Sequence, residues 1–133
     1  MIGLDTNVLV RYFTQDDPRQ SARAARLIES RCRPESPGYV SLVTVCELVW
    51  VLSSGYGYGR TDIARLLRGI LTTAALTVEE SERVWNALRR YELGKKAGFA
   101  DYLIGYACRE AGAAPVYTFD RQAATDELFA PVP

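Results

Sequence analysis

The chain has 133 residues, no histidine, and 16 acidic against 16 basic residues, so its formal net charge is zero. This length and the hydrophobic content of 48% are typical of a single globular domain, which we expect to span residues 1–133. The balanced charge gives the chain no overall basic field, so any contact with nucleic acid must come from a local patch.

The first part of the sequence predicts short strands that alternate with helices. Asp17 and Pro18 form a typical helix start, and Ser41 is a second candidate for a helix N-cap. Three glycines in residues 55–59 indicate a loop. The elements predicted before that loop are a strand at 2–4, a helix at 6–13, a helix at 18–30, a turn at 31–37, a strand at 38–40 and a helix at 42–52.

The second part continues the same alternation. An apolar stripe at helical spacing indicates an amphipathic helix over residues 61–72, and Gly112 is typical of a helix end. The predicted elements are that helix, a strand at 75–78, a helix at 79–93, a connector at 94–98, a helix at 99–111, a strand at 116–118 and a short final helix.

This alternation of strands and helices predicts an α/β fold with a short, mainly parallel sheet flanked by helices. In such sheets the functional crevice lies at the carboxyl ends of the strands. Asp5 follows the first predicted strand and Asp120 follows the fourth, so sequence position alone puts both carboxylates at strand ends.

Two further carboxylates lie in apolar stretches of predicted helix. Glu47 has Val43 and Trp50 as helical neighbours, and Asp101 opens a largely apolar helix. We therefore expect both side chains in core-like surroundings. Taken singly, each of the four carboxylates has a simpler explanation. Asp5 and Asp120 suit helix N-caps, Asp101 suits a first helical turn, and Glu47 could be an exposed glutamate.

Taken together, the four carboxylates indicate a shared cation. A carboxylate in apolar surroundings is costly unless a group of opposite charge pairs with it. Oxygen-only ligands select hard cations such as Mg²⁺ or Mn²⁺, whereas zinc prefers histidine or cysteine. The sequence therefore predicts that Asp5, Glu47, Asp101 and Asp120 bind Mg²⁺ or Mn²⁺.

Four segments, in order, resemble the motifs of PIN-domain nucleases, and most closely those of the VapC-type toxins of bacterial toxin–antitoxin pairs. One departure is Gly98, where many relatives carry an additional aspartate. The segments are LDTNVLVRY at 4–12, VTVCELVWVL at 43–52, FADYLI at 99–104 and VYTFD at 116–120.

The resemblance implies a PIN-like three-layer fold and a Mg²⁺- or Mn²⁺-dependent endoribonuclease with the four carboxylates as its catalytic cluster. Asn7, Thr118 and Thr6 match supporting polar positions. It also implies an RNA substrate, a cognate antitoxin protein, a homodimer, and products that carry a 5′-phosphate and a 3′-hydroxyl.

The chain has no histidine, and no serine or cysteine has a visible activating base, so nucleophilic acyl chemistry and histidine-driven RNA cleavage are unsupported. Metal-assisted hydrolysis of a phosphodiester remains. Two alternatives remain open. One is a catalytically inactive PIN-like binding module. The other is a HAD-like phosphatase, which needs a second aspartate at the position that Asn7 occupies.

Phosphate contacts would need local cations. The candidates are Arg11, Lys95, Lys96 and Arg121, each near a cluster residue or a strand end, although they could equally be solvated surface charges. Tyr56 and Tyr58 could stack on unpaired bases or pack in an interface.

The cell compartment is predicted from the cysteines and the hydropathy. The three cysteines are odd in number and lack metal-ligand spacing, which favours reduced thiols, two of them in apolar helices. The sequence contains no apolar run of about 18 residues, so no membrane span is predicted, and no signal peptide is predicted either. We expect a cytoplasmic protein.

Overall fold

A computed structural model describes residues 1–133. The chain divides into two compact units, Met1–Ser81 and Glu82–Pro133. Each unit combines helices with a short parallel sheet, which confirms the α/β class. The organisation of residues 1–133 as one domain stays a prediction.

The first unit contains three strands and four helices. All four helix starts lie within one residue of the predicted positions. The elements are β1 (Ile2–Gly3), α1 (Thr6–Thr14), α2 (Pro18–Arg31), β2 (Gly38–Val40), α3 (Leu42–Gly55), α4 (Arg60–Thr72) and β3 (Leu76–Val78).

The predicted helix caps of the first unit are confirmed. The side chain of Asp17 accepts a hydrogen bond from the backbone N–H of Gln20, with Pro18 at the first helical position. The side chain of Ser41 accepts one from the backbone N–H of Thr44. Both caps satisfy N–H groups that have no partner within their own helix.

The sheet of the first unit has β2 at its centre. Gly38 of β2 pairs in parallel register with Ile2 of β1 and with Leu76 of β3. A Cβ atom at Gly38 would lie 2.8 Å from both the Sγ atom of Cys32 and the Cδ1 atom of Leu4. β2 therefore has no room for a larger residue than glycine at this position.

The second unit contains two helices and a two-stranded sheet. Its elements are α5 (Ser81–Leu93, which begins at the unit boundary), α6 (Phe99–Glu110), β4 (Val116–Thr118), a 3₁₀ turn (Ala123–Thr125) and β5 (Phe129–Pro131). Tyr91 and Phe99 join α5 to the start of α6 through an edge-to-face contact, with ring centroids 6.0 Å apart.

The strands differ from the predicted arrangement in two respects. All of them pair in parallel, as predicted, but hydrogen bonds divide them between two sheets, β1–β3 and β4–β5. The strand β5 was not predicted. It ends in Pro131, and a short apolar segment beside prolines gives little strand signal although an edge strand tolerates proline.

The cysteines form no disulfide. Cys32 is buried, and burial raises the pKa of its thiol as well as that of Cys46. Both therefore favour the protonated, unreactive form, as the sequence predicts for core thiols. None of the helices combines the length and the apolar character that crossing a membrane would need.

Candidate active site

Asp5 lies two residues after the end of β1 and caps α1. Its Oδ1 atom accepts a hydrogen bond of 2.8 Å from the backbone N–H of Thr6, and its side chain is exposed. The simpler explanation of Asp5 as a helix cap is therefore correct. The strand-end position is correct as well, and the two roles are compatible because the cap occupies only one carboxylate oxygen.

Glu47 lies on the exposed side of α3, so the prediction of core-like surroundings is wrong. Its helical neighbours Val43 and Trp50 are each 70% exposed. The buried side of α3 is formed instead by Val45 and Leu48, among others. Glu47 thus lies within an exposed apolar stripe.

Thr6 joins these two carboxylates. Its hydroxyl group donates a hydrogen bond of 2.7 Å to the Oε1 atom of Glu47, while its backbone N–H donates to Asp5. Thr6 itself is only 8% exposed, which fixes its side chain in one orientation. The structure therefore holds Asp5 and Glu47 through a single buried residue at the start of α1.

Asp101 occupies the third position of α6. Its Oδ2 atom accepts a hydrogen bond of 2.9 Å from the backbone N–H of Gly98, which satisfies an N–H group at the helix start. The side chain is half-buried, while Ile104 on the same side of α6 is 50% exposed. Gly98, the departure from the family motif, acts here as the N-cap residue of α6.

Asp120 follows β4 and organises the turn after it. Its Oδ1 atom accepts hydrogen bonds from the backbone N–H groups of Gln122 (2.9 Å) and Ala123 (3.0 Å). The backbone N–H of Asp120 donates to the hydroxyl group of Thr118 at 3.0 Å. Its position after β4 confirms the predicted strand end. Its side chain is exposed, so the prediction of apolar surroundings is wrong.

A common pattern unites the four carboxylates. In each, one oxygen accepts the hydrogen bonds that orient the side chain, and the structure gives the other oxygen no hydrogen bond. No arginine or lysine forms a salt bridge with any of them within its own unit. Each side chain is thus oriented by the protein and retains an oxygen that can bind a cation.

The expectation of buried, apolar carboxylates is corrected accordingly. Asp5, Glu47 and Asp120 are exposed, and only Asp101 is half-buried. Asp5 and Asp120 lie near strand ends and Glu47 lies on the outer side of α3, and at these surface positions water solvates the charge. Neither unit by itself brings together three or more histidine, cysteine, aspartate or glutamate side chains that could hold a metal ion.

The predicted substrate-binding cations lie in different environments. Arg11 forms a salt bridge of 3.1 Å with Asp16. The Nζ atom of Lys96 donates a hydrogen bond of 3.3 Å to the backbone carbonyl of Thr125. Lys95 and Arg121 are exposed.

A polar network around Arg11 was not predicted from the sequence. The hydroxyl group of Tyr56 donates to Asp16 at 2.6 Å and accepts from Nη1 of Arg11 at 3.0 Å. Hydrogen bonds from Tyr56 and Thr14, aided by the charge of Arg11, lower the pKa of Asp16 to about 2. Tyr56 therefore connects the glycine-rich loop to α1, a role different from the base stacking or interface packing predicted for it.

Asp126 has a structural role. It is only 5% exposed and accepts hydrogen bonds from Nε (3.2 Å) and Nη2 (3.0 Å) of Arg90. A carboxylate paired in this way has little capacity left for a metal ion. No local sequence pattern predicts this pair, because its members lie 36 positions apart.

Oxygen-only donors with one oxygen left open suit Mg²⁺ or Mn²⁺, which prefer carboxylates and water as ligands. The family model that carries the description PIN domain matches residues 2–126 of the chain. The match spans both units and includes all four carboxylates. Comparison with curated proteins finds no match.

Proposed function

This chain belongs to the PIN domain family, and from that membership we propose that it is a Mg²⁺- or Mn²⁺-dependent endoribonuclease that acts as the toxin of a type II toxin–antitoxin pair. PIN domains are generally metal-dependent nucleases, so the family supports a hydrolase that acts on nucleic acid. RNA as the substrate, the choice of metal and the toxin role are the finer parts of the proposal.

The observation that carries the proposal is the shared pattern of the carboxylates. Asp5, Glu47, Asp101 and Asp120 are each oriented through one oxygen and open at the other. Helix capping alone does not explain this pattern, because Glu47 shares it without capping a helix. In the proposal these four side chains act together on one metal centre.

In this mechanism Asp5 and Asp101 would hold the principal metal ion. When bound, the ion lowers the pKa of water and stabilises the charge that develops on the phosphate. Glu47 and Asp120 accept hydrogen bonds from the attacking water, and one of them takes its proton. Asn7 and Thr118 support the cluster. Water attacks phosphorus, the bond between phosphorus and the 3′-oxygen breaks, and that oxygen takes a proton from solvent. The products carry a 5′-phosphate and a 3′-hydroxyl.

The proposed partners are a second copy of the chain and a cognate antitoxin protein. Val43 and Trp50, both 70% exposed, give α3 an apolar outer face that supports an interface. Glu47 lies on this same face, so a protein that covered it would also restrict access to one carboxylate of the cluster.

The test is cleavage of single-stranded and structured RNA, with DNA as a substrate control. We expect cleavage with Mg²⁺ or Mn²⁺, no cleavage with a chelator, and loss of cleavage in Asp5→Asn and Asp101→Asn. Cleavage that resists the chelator would refute the metal dependence. Growth arrest that persists on expression of both variants would instead support an inactive nuclease that acts by binding.

The chain offers a matched control for each variant. Asp17 caps α2 as Asp5 caps α1, and Asp62 accepts a hydrogen bond from the N–H of Gly59 as Asp101 does from Gly98. Asp17→Asn and Asp62→Asn therefore disturb the same kind of helix start and should leave cleavage unchanged. If they abolish cleavage too, the losses report damaged helix ends and not a metal site.

A further inference from the structure

A cleft of about 600 Å³ lies between α1 and α2 in the first unit. Clefts of this volume commonly hold small ligands. No carboxylate is among the residues that line it. Its lining combines two guanidinium groups, two amides and aliphatic side chains, and includes Asn7, Val8, Arg11, Gln20, Arg23 and Leu27.

The two arginines present open donors to this cleft. Arg23 is exposed, and the structure gives its guanidinium group no salt bridge or hydrogen bond. Arg11 uses Nε for Gln20 (2.7 Å) and Nη1 for Asp16 and Tyr56, which leaves its Nη2 group without a partner. Two guanidinium groups on one cleft are well suited to a phosphate, which Arg23 can bind in a bidentate manner and Arg11 through its Nη2 group.

Arg11 is also held in place before any ligand binds. Asp16 and Tyr56 contact the same nitrogen, and Gln20 contacts another, so the side chain is fixed from α2 and from the glycine-rich loop. A fixed donor loses little conformational freedom on binding. A surface arginine that merely balanced Asp16 would not need three partners.

The rest of the lining suits a nucleotide better than an isolated anion. Val8 and Leu27 are half-buried and offer an apolar surface for a base or a ribose. The side-chain amides of Asn7 and Gln20 can donate to and accept from the edge of a base. Unpaired bases present such edges only in single-stranded RNA, because a duplex hides them.

We propose that the cleft between α1 and α2 binds single-stranded RNA, with a phosphate between Arg11 and Arg23 and an adjacent base against Val8, Leu27 and the two amides. This inference rests on the proposed nuclease function. It makes the cleft a substrate subsite that begins two residues after Asp5, at Asn7.

The test measures binding of a fluorescein-labelled single-stranded RNA by anisotropy in EDTA, where cleavage is suppressed. Arg23→Ala should weaken binding by about 3- to 10-fold and reduce the slope of log K against log salt by about 0.7, the loss of one phosphate contact. Arg26→Ala is the matched control, because Arg26 is exposed on α2 but does not line the cleft. It should bind as the wild type does.

Two results would overturn the subsite. One is unchanged binding in Arg23→Ala, and the other is an equal loss in both variants, which would indicate unspecific attraction to surface charge. The nuclease function is judged separately by wild-type cleavage. If the wild type cleaves RNA and RNA binding does not depend on Arg23, the subsite is refuted and the nuclease function stands. If RNA binding depends on Arg23 but no cleavage occurs, the nuclease function is refuted and the cleft remains an RNA-binding site.

Crosslinking locates the bound RNA directly. RNA that contains 4-thiouridine should crosslink to peptides within residues 7–27, and crosslinks confined to other segments would overturn the proposal. A protein partner is the competing occupant. If Arg23→Ala releases a co-expressed protein partner but leaves RNA binding unchanged, the cleft is a protein-binding site and the RNA assignment is wrong.

Discussion

The hydroxyl group of Thr6 donates a hydrogen bond of 2.7 Å to Glu47, which lies 41 positions further along the chain. This bond connects the start of α1 to the outer face of α3. Because Thr6 is buried and Glu47 is exposed, the threonine sets the orientation of a glutamate that water would otherwise leave mobile. Thr6 can in this way decide where a carboxylate of the proposed catalytic cluster points.

Thr6→Val should therefore reduce cleavage more than stability. The substitution keeps the shape of the side chain and removes the hydroxyl group, so we expect kcat/KM to fall about 10-fold, as is typical when a group that orients a metal ligand is lost. The free energy of unfolding should change by less than about 1.5 kcal/mol. Thr6→Ser retains the hydroxyl group and should retain most of the activity. Equal activity of Thr6→Val and the wild type would show that Glu47 needs no orientation.

Addition of Mg²⁺ should raise the melting temperature of the protein. A ligand that binds only the folded state stabilises it by about 2.7 kcal/mol at a concentration 100 times its Kd. We expect a concentration-dependent shift in a thermal denaturation assay, reversed by a chelator. Asp5→Asn and Asp101→Asn should lose the shift, whereas Asp17→Asn should keep it. A shift of the same size in all variants would place the ion elsewhere.

Much of the fold could be predicted because its signals are local. Asp17, which precedes Pro18, and Ser41 mark helix starts through bonds to residues three positions away, and the structure has both caps. The strand β5 could not be predicted in this way, since its pairing with β4 depends on contacts between segments and its own sequence is short and ends in proline.

The four carboxylates of the candidate site stay a prediction as metal ligands, whereas the structure corrects the environment predicted for them. Helical periodicity fails to identify the buried side of α3, because apolar residues surround that helix and Val43 is as apolar as Leu48. Glu47 therefore looked buried when it is exposed. The bonds of Thr6 to Glu47 and of Tyr56 to Asp16 span about forty positions, and only tertiary packing creates them.

Loss of the Arg90–Asp126 pair should destabilise the protein. Asp126 is almost fully buried, and removal of Arg90 would leave its charge without a partner. A fully buried pair costs about 3–5 kcal/mol to break, and because Arg90 is partly exposed we expect about 2 kcal/mol for Arg90→Met in urea unfolding. Glu110→Gln breaks the more exposed contact with Arg83 and should cost at most about 1 kcal/mol. Similar costs for both variants would mean that burial does not matter here.

The same pair gives a pH dependence. Burial alone would raise the pKa of Asp126, but hydrogen bonds from Arg90 and from the backbone N–H of Leu128 outweigh it, so the pKa lies below its usual value of 3.8. A lowered pKa in the folded state stabilises the protein above pH 3.8, and this contribution is lost as the pH falls through the folded-state value. Arg90→Met should weaken this acid dependence in urea unfolding followed between pH 6 and pH 3. An unchanged dependence would assign it to other carboxylates.

Tyr56→Phe should change the titration of Asp16. The hydroxyl group of Tyr56 is the largest cause of the lowered pKa of Asp16, about 2, and a hydrogen bond from Thr14 and the charge of Arg11 add to it. Without that hydroxyl group, the midpoint of the Asp16 carboxyl signal in an NMR titration should move upwards towards 3.8. Tyr58→Phe changes the other tyrosine of the glycine-rich loop and should leave the midpoint in place. A midpoint that stays near 2 would show that Thr14 and Arg11 suffice to lower the pKa of Asp16.

Because Tyr56 also contacts Arg11, Tyr56→Phe should loosen a guanidinium group of the proposed RNA cleft and weaken RNA binding, though less than Arg23→Ala does. Unchanged RNA binding would show that Tyr56 has no part in holding the cleft.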